Sequence, residues 1–368
     1  VLKNKKGSSM SDHRTTHSQS DASAQRKSHH LEFANMAQTS GSTINDYFDY
    51  EPMLSGFPEE NFSFTPIKVG PKNLKAPIWI SSMTGGTSAA GPINKNLAKV
   101  AGEFGLGLGL GSCRPLLHSD EFFDDFYLRP IIGDGVLFAN FGVAQLEQEL
   151  QKDSAQKLLE VCKRLEVDGL FIHINPLQEW YQNEGDRWFR SPVEIMKEFA
   201  ELIASKAPSL ILGIKEVGQG MGPASLKAIL ELPISVIEFA AYGGTNFSLL
   251  ESVRDEDTNK SNELIKPKEL CYVGHTALEM VRLVNHFLND KSVKTGDRLF
   301  IVSGGVRSFL QGFFLTESLR APACYGMAKP FLEASQGSYS DLAQFVQREL
   351  DSLKMAQTFL RLKPLKGE

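Results

Sequence analysis

From residue 77 to residue 327, short β-type runs alternate with amphipathic stretches, and this alternation restricts the fold more than any other feature. The runs are PIWISS (77–82), GLGLGL (105–110), VLFANF (136–141), GLFIHIN (169–175), LILGIKEV (210–217), SVIEFAA (235–241), RLFIVSGG (298–305) and APACYGM (321–327). Between them lie segments such as SAQKLLEVCKRL (154–165), SPVEIMKEFAELIASK (191–206) and TALEMVRLVNHFLN (276–289), whose apolar residues recur at three and four, the spacing of one helix face. Strands that alternate with helices predict parallel βα units. Eight such units in roughly 250 residues is the count of a (β/α)8 (TIM) barrel. A doubly wound nucleotide fold would show G-x-G-x-x-G after its first strand, and that place holds SMTGGTSAAG. The expected α/β architecture is a barrel over 77–340, with an N-terminal extension or flap over 25–76 and a C-terminal helix over 341–368.

Residues 1–24 are polar, rich in Ser and almost free of large apolar groups, so they are predicted to be disordered. The whole chain has 368 residues, 42% hydrophobic and 23% charged, enough for a large core. A net charge of −5 excludes the basic field that holds nucleic acid or anionic lipid. No apolar run approaches the roughly 20 residues that span a bilayer, and no signal-peptide core is seen, so a soluble cytoplasmic protein is expected. Cys113, Cys162, Cys271 and Cys324 lack C-x-x-C spacing and read as buried reduced thiols.

Barrel chemistry belongs at strand C-termini, where this chain concentrates its polar residues. The seventh and eighth runs end in Ser303-Gly304-Gly305 and Gly326-Met327-Ala328, which suits a phosphate site after strands 7 and 8. Tyr242-Gly243-Gly244-Thr245-Asn246 after the sixth run extends that cradle, although Thr and Asn would equally cap an ordinary turn. The strand ends at Ser82, Met83, Thr84, Ser112 and Asn140, mostly small or polar, with Lys215 on the fifth run, offer a slot for a flat ring with a polar edge. Phosphate plus flat ring points to FMN. Lys215 and Glu216 are strand neighbours and point to opposite faces, so an ion pair between them is not expected.

The fourth run carries His173 and Asn175 on one face, with Gln178 and Glu179 opening the loop above. One carboxylate among amides suits Mg²⁺, which takes its other ligands from water and substrate phosphates, and Glu179 is the candidate ligand. The RKSHH stretch at 26–30 reads either as a solvated basic patch or as a flap that clamps a diphosphate. The segment 251–263, charged and rich in Ser and Asn, reads as a mobile loop.

Taken together, RKSHH (26–30), MTGG (83–86), GSCR (111–114), FANFG (138–142), HINPLQE with EGDRWF (173–179, 184–189), IKEVGQGM (214–221), YGGTNF (242–247), SGGVR (303–307) and YGMAKPFL (325–332) resemble the type 2 isopentenyl diphosphate isomerases. The resemblance runs from about residue 26 to about residue 332. It implies an FMN- and Mg²⁺-dependent barrel enzyme that interconverts isopentenyl and dimethylallyl diphosphate in isoprenoid biosynthesis, with NADPH as reductant. By position, it implies substrate binding by Arg26, Lys27, His30, Arg114, Asn175 and Gln178, and a metal ligand at Glu179. Flavin contacts are implied for Thr84, Ser112, Asn140, Lys215, Thr245, Gly304, Gly305, Met327 and Ala328. His173, Gln178 and Lys215 would act at the reacting centre, and the family implies a homo-oligomer, tetramer or octamer. The chain departs from the family at Cys113, Asn183 and Tyr242, which predicts an altered pocket shape. Two other readings fit the phosphate corner: an FMN-dependent oxidoreductase of the 2-hydroxy acid oxidase type, and a non-catalytic flavin-binding barrel. Neither accounts for RKSHH and HINPLQE.

Overall fold

A computed structural model describes the backbone of residues 13–83, 85–86, 90–258, 266–290, 293 and 296–364. The chain divides into two compact units, Val1–Phe48 with Lys363–Glu368, and Asp49–Leu362.

In the larger unit all eight runs are strands: β1 Ile78–Ile80, β2 Gly107–Gly109, β3 Val136–Gly142, β4 Gly169–His173, β5 Ile211–Lys215, β6 Val236–Glu238, β7 Leu299–Ser303 and β8 Ala323–Met327. They pair in parallel, each with its sequence neighbour, and β8 returns to β1 to close the barrel. Helices follow the strands, among them Ala90–Phe104, Pro192–Lys206 and Ala277–Asn289. The last two start on capping boxes, Ser191 with Glu194 and Thr276 with Glu279, which satisfy otherwise orphaned N–H groups.

The lower barrel is filled by aromatic rings. Trp79 stands edge-on to Phe138 at 5.3 Å and to Phe171 at 5.8 Å between centroids, and all three are fully buried. Such rings fit because inward positions on neighbouring strands are glycine. A Cβ at Gly107 or Gly169 would collide with Trp79 or Phe138, and one at Gly213 would come within 2.6 Å of Phe171. Below them an antiparallel hairpin, Ile67–Val69 with Lys72–Leu74, inserts Val69 and Leu74 into the same cluster as the strand-initial Val136, Ile211, Val236 and Leu299. Lys72 and Arg129 hold the Asp168 carboxylate there at 2.7 and 2.8 Å. This part of the 25–76 segment therefore seals the base, at the end opposite the strand C-termini.

In the smaller unit, residues 1–12 lie outside the described residues, and a helix runs from His13 to Phe33. Residues 13–24, expected to be disordered, are thus helical: the stretch contains no Gly or Pro to break a helix once it has started. Arg26, Lys27 and His30 are exposed on it, at the three- and four-residue spacing that shares a helix face. In the larger unit Phe247–Thr258 is helical, so residues 251–258 of the predicted loop extend a helix, and 259–263 lie outside the described residues. The C-terminal helix is Tyr339–Phe359, followed by a short strand at Leu360–Leu362.

Candidate active site

Strand periodicity builds the site. Side chains two residues apart share a face, so the strands that turn Trp79, Phe138, Phe171, Ile211, Val236 and Ile301 inward also turn inward Ser81, Asn140, His173, Lys215, Glu238 and Ser303. The barrel changes from apolar to polar in one layer. His173, Lys215 and Glu238 are register partners on β4, β5 and β6, side by side across the mouth.

His173 Nδ1 lies 2.9 Å from Asn140 Oδ1. Burial, reinforced by the positive charge of Lys215, lowers the imidazole pKa to about 3, so the ring is neutral at physiological pH. Lys215 Nζ is buried and donates to the Glu216 carbonyl at 2.9 Å. The Glu216 carboxylate turns elsewhere, accepting the N–H groups of Gly218, Gln219 and Gly220 at 2.6–2.9 Å, while burial pushes its pKa up against those bonds. Glu238 accepts Ser303 Oγ–H at 3.1 Å on one oxygen, and its other oxygen is buried without a protein partner.

A cavity of about 630 Å³ opens beside this layer, with Lys215, Glu238 and Ser303 on one wall. The sequence-predicted Ser82, Thr245, Gly304, Gly305, Met327 and Ala328 line it as well. Its glycine corner is made by close backbone approach. Gly304 has φ +88°, and a Cβ there would collide with the Ala241 backbone; a Cβ at Gly244 would come within 2.9 Å of the Gly305 nitrogen. The buried hydroxyls of Ser81 and Ser82 have no protein partner. Asn140, Ser112 and Met83 do not line this cavity: Asn140 is engaged by His173, and Ser112 Oγ accepts the Arg114 N–H at 3.4 Å. Thr84 lies outside the described residues. Cys113 is fully buried and its thiol pKa is pushed up to about 12, so it presents no reactive thiolate; all four cysteines are free and buried.

Beyond β4, Gln178 and Glu179 sit on a short helix, Pro176–Tyr181, and not on the expected loop. Asn175 at its start, followed by Pro176, is a helix-initiation signal in the sequence. Asn175 Nδ2 donates to Gln178 Oε1 at 3.1 Å and to Glu179 Oε1 at 2.9 Å, and Glu179 Oε2 accepts the Asp186 N–H at 2.7 Å. Glu179 is buried, with one hydrogen bond per oxygen. Arg114 Nη1 pairs with Asp186 Oδ2 at 2.6 Å. The structure thus joins Arg114 and Glu179 through Asp186, with Asn175 and Gln178 hydrogen-bonded beside Glu179, and brings His173, Asn140 and Lys215 together in the barrel layer. Arg26, Lys27 and His30 belong to the other unit.

Sequence reading placed Ser303 at the phosphate corner but missed Glu238, and gave Asp186 no role. The two-residue period forward from Val236 would have found Glu238. Nothing short of the fold places Asp186 against Arg114.

Several solved structures share the architecture. A flavocytochrome b2 variant with benzoylformate superposes with a TM-score of 0.56 at 13% identity, over 85% of this chain and 75% of that one. A Pediococcus acidilactici (putative) lactate oxidase gives 0.52 at 12% identity, over 84% and 78%. At such identity these show the fold alone. No family model matches the chain. Among curated proteins, the isopentenyl-diphosphate delta-isomerase of Rickettsia felis is 32% identical over 90% of this chain and 91% of its own length, and that of Rickettsia bellii is 32% identical over 90% and 91%. An eight-stranded barrel with this mouth and a full-length likeness to named isomerases agree with one another, and the chain belongs to the type 2 isopentenyl-diphosphate delta-isomerase family.

Proposed function

We propose that this protein interconverts isopentenyl diphosphate and dimethylallyl diphosphate, with FMN in the barrel cavity and Mg²⁺ on Glu179. What carries the reading is the full-length likeness to named isomerases, in a chain that sets buried Lys215 in a glycine-walled cavity and buried Glu179 just past the neighbouring strand. The residues present fit both groups. Ser81, Ser82 and one Glu238 oxygen are buried polar atoms without protein partners, and the Gly304 and Gly244 positions leave room for nothing larger than backbone. Glu179 keeps lone pairs for a cation that completes its shell with water and phosphate.

Reduced FMN, when bound, supplies a proton donor and acceptor matched to an unactivated alkene, and NADPH serves to prime that reduced state without being consumed at each turnover. The side chains do the rest. Lys215, buried on the cavity wall, would place its positive charge beside a bound ring that gathers negative charge. His173 is too weak a base to hold a proton at neutral pH, so it orients and does not protonate. With Nδ1 donating to Asn140 Oδ1, its Nε2 presents a lone pair. Gln178 spends its carbonyl on Asn175 and retains an amide donor for the substrate. Arg114 supplies a cationic contact to the diphosphate, fixing the alkene for reaction, and the family resemblance carries the same role to Arg26, Lys27 and His30. An assay with isopentenyl diphosphate, reduced FMN and Mg²⁺ tests the reading; steady oxidation of a 2-hydroxy acid in its place would overturn it.

Two measurements separate these roles. Deleting residues through Lys27 raises KM for the diphosphate far more than the Kd for FMN, and unchanged turnover after truncation would remove the helix from the substrate site. His173, neutral when folded with a pKa near 3 against an ordinary 6.5, binds its proton only in the unfolded chain between those values. Stability therefore falls as pH drops below 6.5 toward 3, by at most about 1.4 kcal/mol per pH unit from this group. His173→Gln flattens that slope in urea titrations at pH 4.5 and pH 7.

The proposal extends to a cytoplasmic homo-oligomer, tetramer or octamer. Met53 and Phe57, 90% and 81% exposed, are apolar surface of the kind that subunit contacts cover. No helix of the described residues is long and apolar enough to cross a membrane. Light scattering on the purified protein gives the assembly size.

A further inference from the structure

Asp186 has no part in the roles assigned so far, yet it touches Arg114, assigned to the diphosphate, and Glu179, assigned to the metal. Its Oδ2 receives Arg114 Nη1 at 2.6 Å, and its backbone N–H donates to Glu179 Oε2 at 2.7 Å. We propose that Asp186 is the positioning residue that holds Arg114 and Glu179 in one geometry for a magnesium-bound diphosphate; this rests on the function proposed above.

Three observations support it. First, Asp186 is anchored from behind. Gln145 Nε2 donates to the same Oδ2 at 2.8 Å, and Gln145 Oε1 accepts the Gly142 N–H at 3.1 Å, so the carboxylate is tied through one amide side chain to the end of β3.

Second, the loop backbone is fixed. Arg187 Nη1 donates to the carbonyls of Glu179 at 2.5 Å and of Gly185 and Asp186 at 3.1 Å, and a Cβ at Gly185 would collide with the Glu179 carbonyl. Gly185 permits the close approach and Arg187 fastens it, on either side of Asp186. Farther along, both oxygens of buried Glu147 accept the Phe189 N–H, and one of them the Arg190 N–H as well.

Third, the exposures differ as a positioning role requires. The Asp186 side chain is 17% exposed and that of Arg114 is 51% exposed. An exposed ion pair contributes little to stability. Here the inner partner is held by Gln145 and, through its N–H, by Glu179, while the outer one keeps guanidinium donors turned to solvent for a phosphate oxygen. The pair aims the arginine and does little to stabilise the fold.

Asp186→Asn keeps the shape and one acceptor but removes the charge. In FMN-loaded enzyme with Mg²⁺, KM for isopentenyl diphosphate rises about tenfold, while kcat stays within about twofold. Calorimetry with inorganic pyrophosphate and Mg²⁺, which needs no turnover, shows the same loss of affinity. In an Arg114→Met background the substitution adds nothing to the loss through Arg114, because the group to be aimed is gone. Gln145→Leu, which leaves the carboxylate but unties it, raises KM in the same direction and stands in should Asp186→Asn fail to fold. Unchanged pyrophosphate affinity in Asp186→Asn, multiplicative losses in the double variant, or a parent that does not bind magnesium pyrophosphate would each overturn the inference. A parent that binds magnesium pyrophosphate but isomerises nothing would sink the activity reading alone, and the affinity comparison would still decide the role of Asp186.

Discussion

An enzyme carrying Glu179→Gln loses roughly 100-fold or more of its Mg²⁺-supported turnover yet binds FMN as tightly as the parent. The size follows from what is removed. Glu179 is 8% exposed and is the buried carboxylate at the head of the Pro176–Tyr181 helix, and among the described residues no cluster of three or more His, Cys, Asp or Glu could take its place as a metal site. Glutamine is isosteric and can still accept from Asn175 or Asp186, so the fold survives while the charge proposed for the cation is lost. The selectivity follows from position, because Glu179 does not line the cavity beside Lys215. Flavin fluorescence quenching gives the FMN affinity, and the rate as a function of Mg²⁺ concentration gives the metal dependence. Parental rates in the variant would end the assignment of Glu179 as the metal ligand.

Gly304→Ala lowers FMN affinity by about 100-fold or more and also lowers Tm, since it combines overpacking with strain at positive φ, together about 2–4 kcal/mol. The added methyl would meet the Ala241 nitrogen and oxygen, so the ends of β6 and β7 must part, and they carry the corner formed with Gly243 and Gly244. Gly133 is the control. Its φ is +60° and nothing lies within 4 Å of where a Cβ would stand, so Gly133→Ala costs only the backbone term, about 1 kcal/mol, and leaves FMN binding intact. Equal effects from the two substitutions would mean that the glycine corner does not contact the cofactor.

The barrel was legible in the sequence because its strands are short apolar runs separated by helical periodicity, and all eight appear where expected. Their ends were harder to place. The sixth run, read as 235–241, is a strand only over Val236–Glu238; Ala240 adopts φ +43°, and its N–H leaves the ladder for Ser303 Oγ at 2.9 Å. A side-chain hydrogen bond from another strand decides that boundary, and local propensity cannot contain it. The same holds for the site. His173, Lys215 and Glu179 announce themselves as polar residues closing or following apolar strands. Glu238 is hidden inside the run SVIEFAA, and only the register sets it beside Lys215. Asp186 and Gln145 are separated by 41 residues, and only the meeting of β3 with the loop after β4 makes them partners. The N-terminal helix shows a different limit: composition measured the lack of apolar anchors in residues 13–24 correctly, but did not measure the absence of helix breakers.

The aromatic floor of the barrel has a kinetic consequence. With the Trp79, Phe138 and Phe171 rings packed above the Val69 and Leu74 plug, the described residues close the lower end of the barrel and leave its rim as the way in. Water, exchangeable hydrons and small solutes must all cross that rim in both directions. Anything that narrows it slows isotope washout and ligand escape together, so the two rates should rise and fall as a pair across variants of the rim.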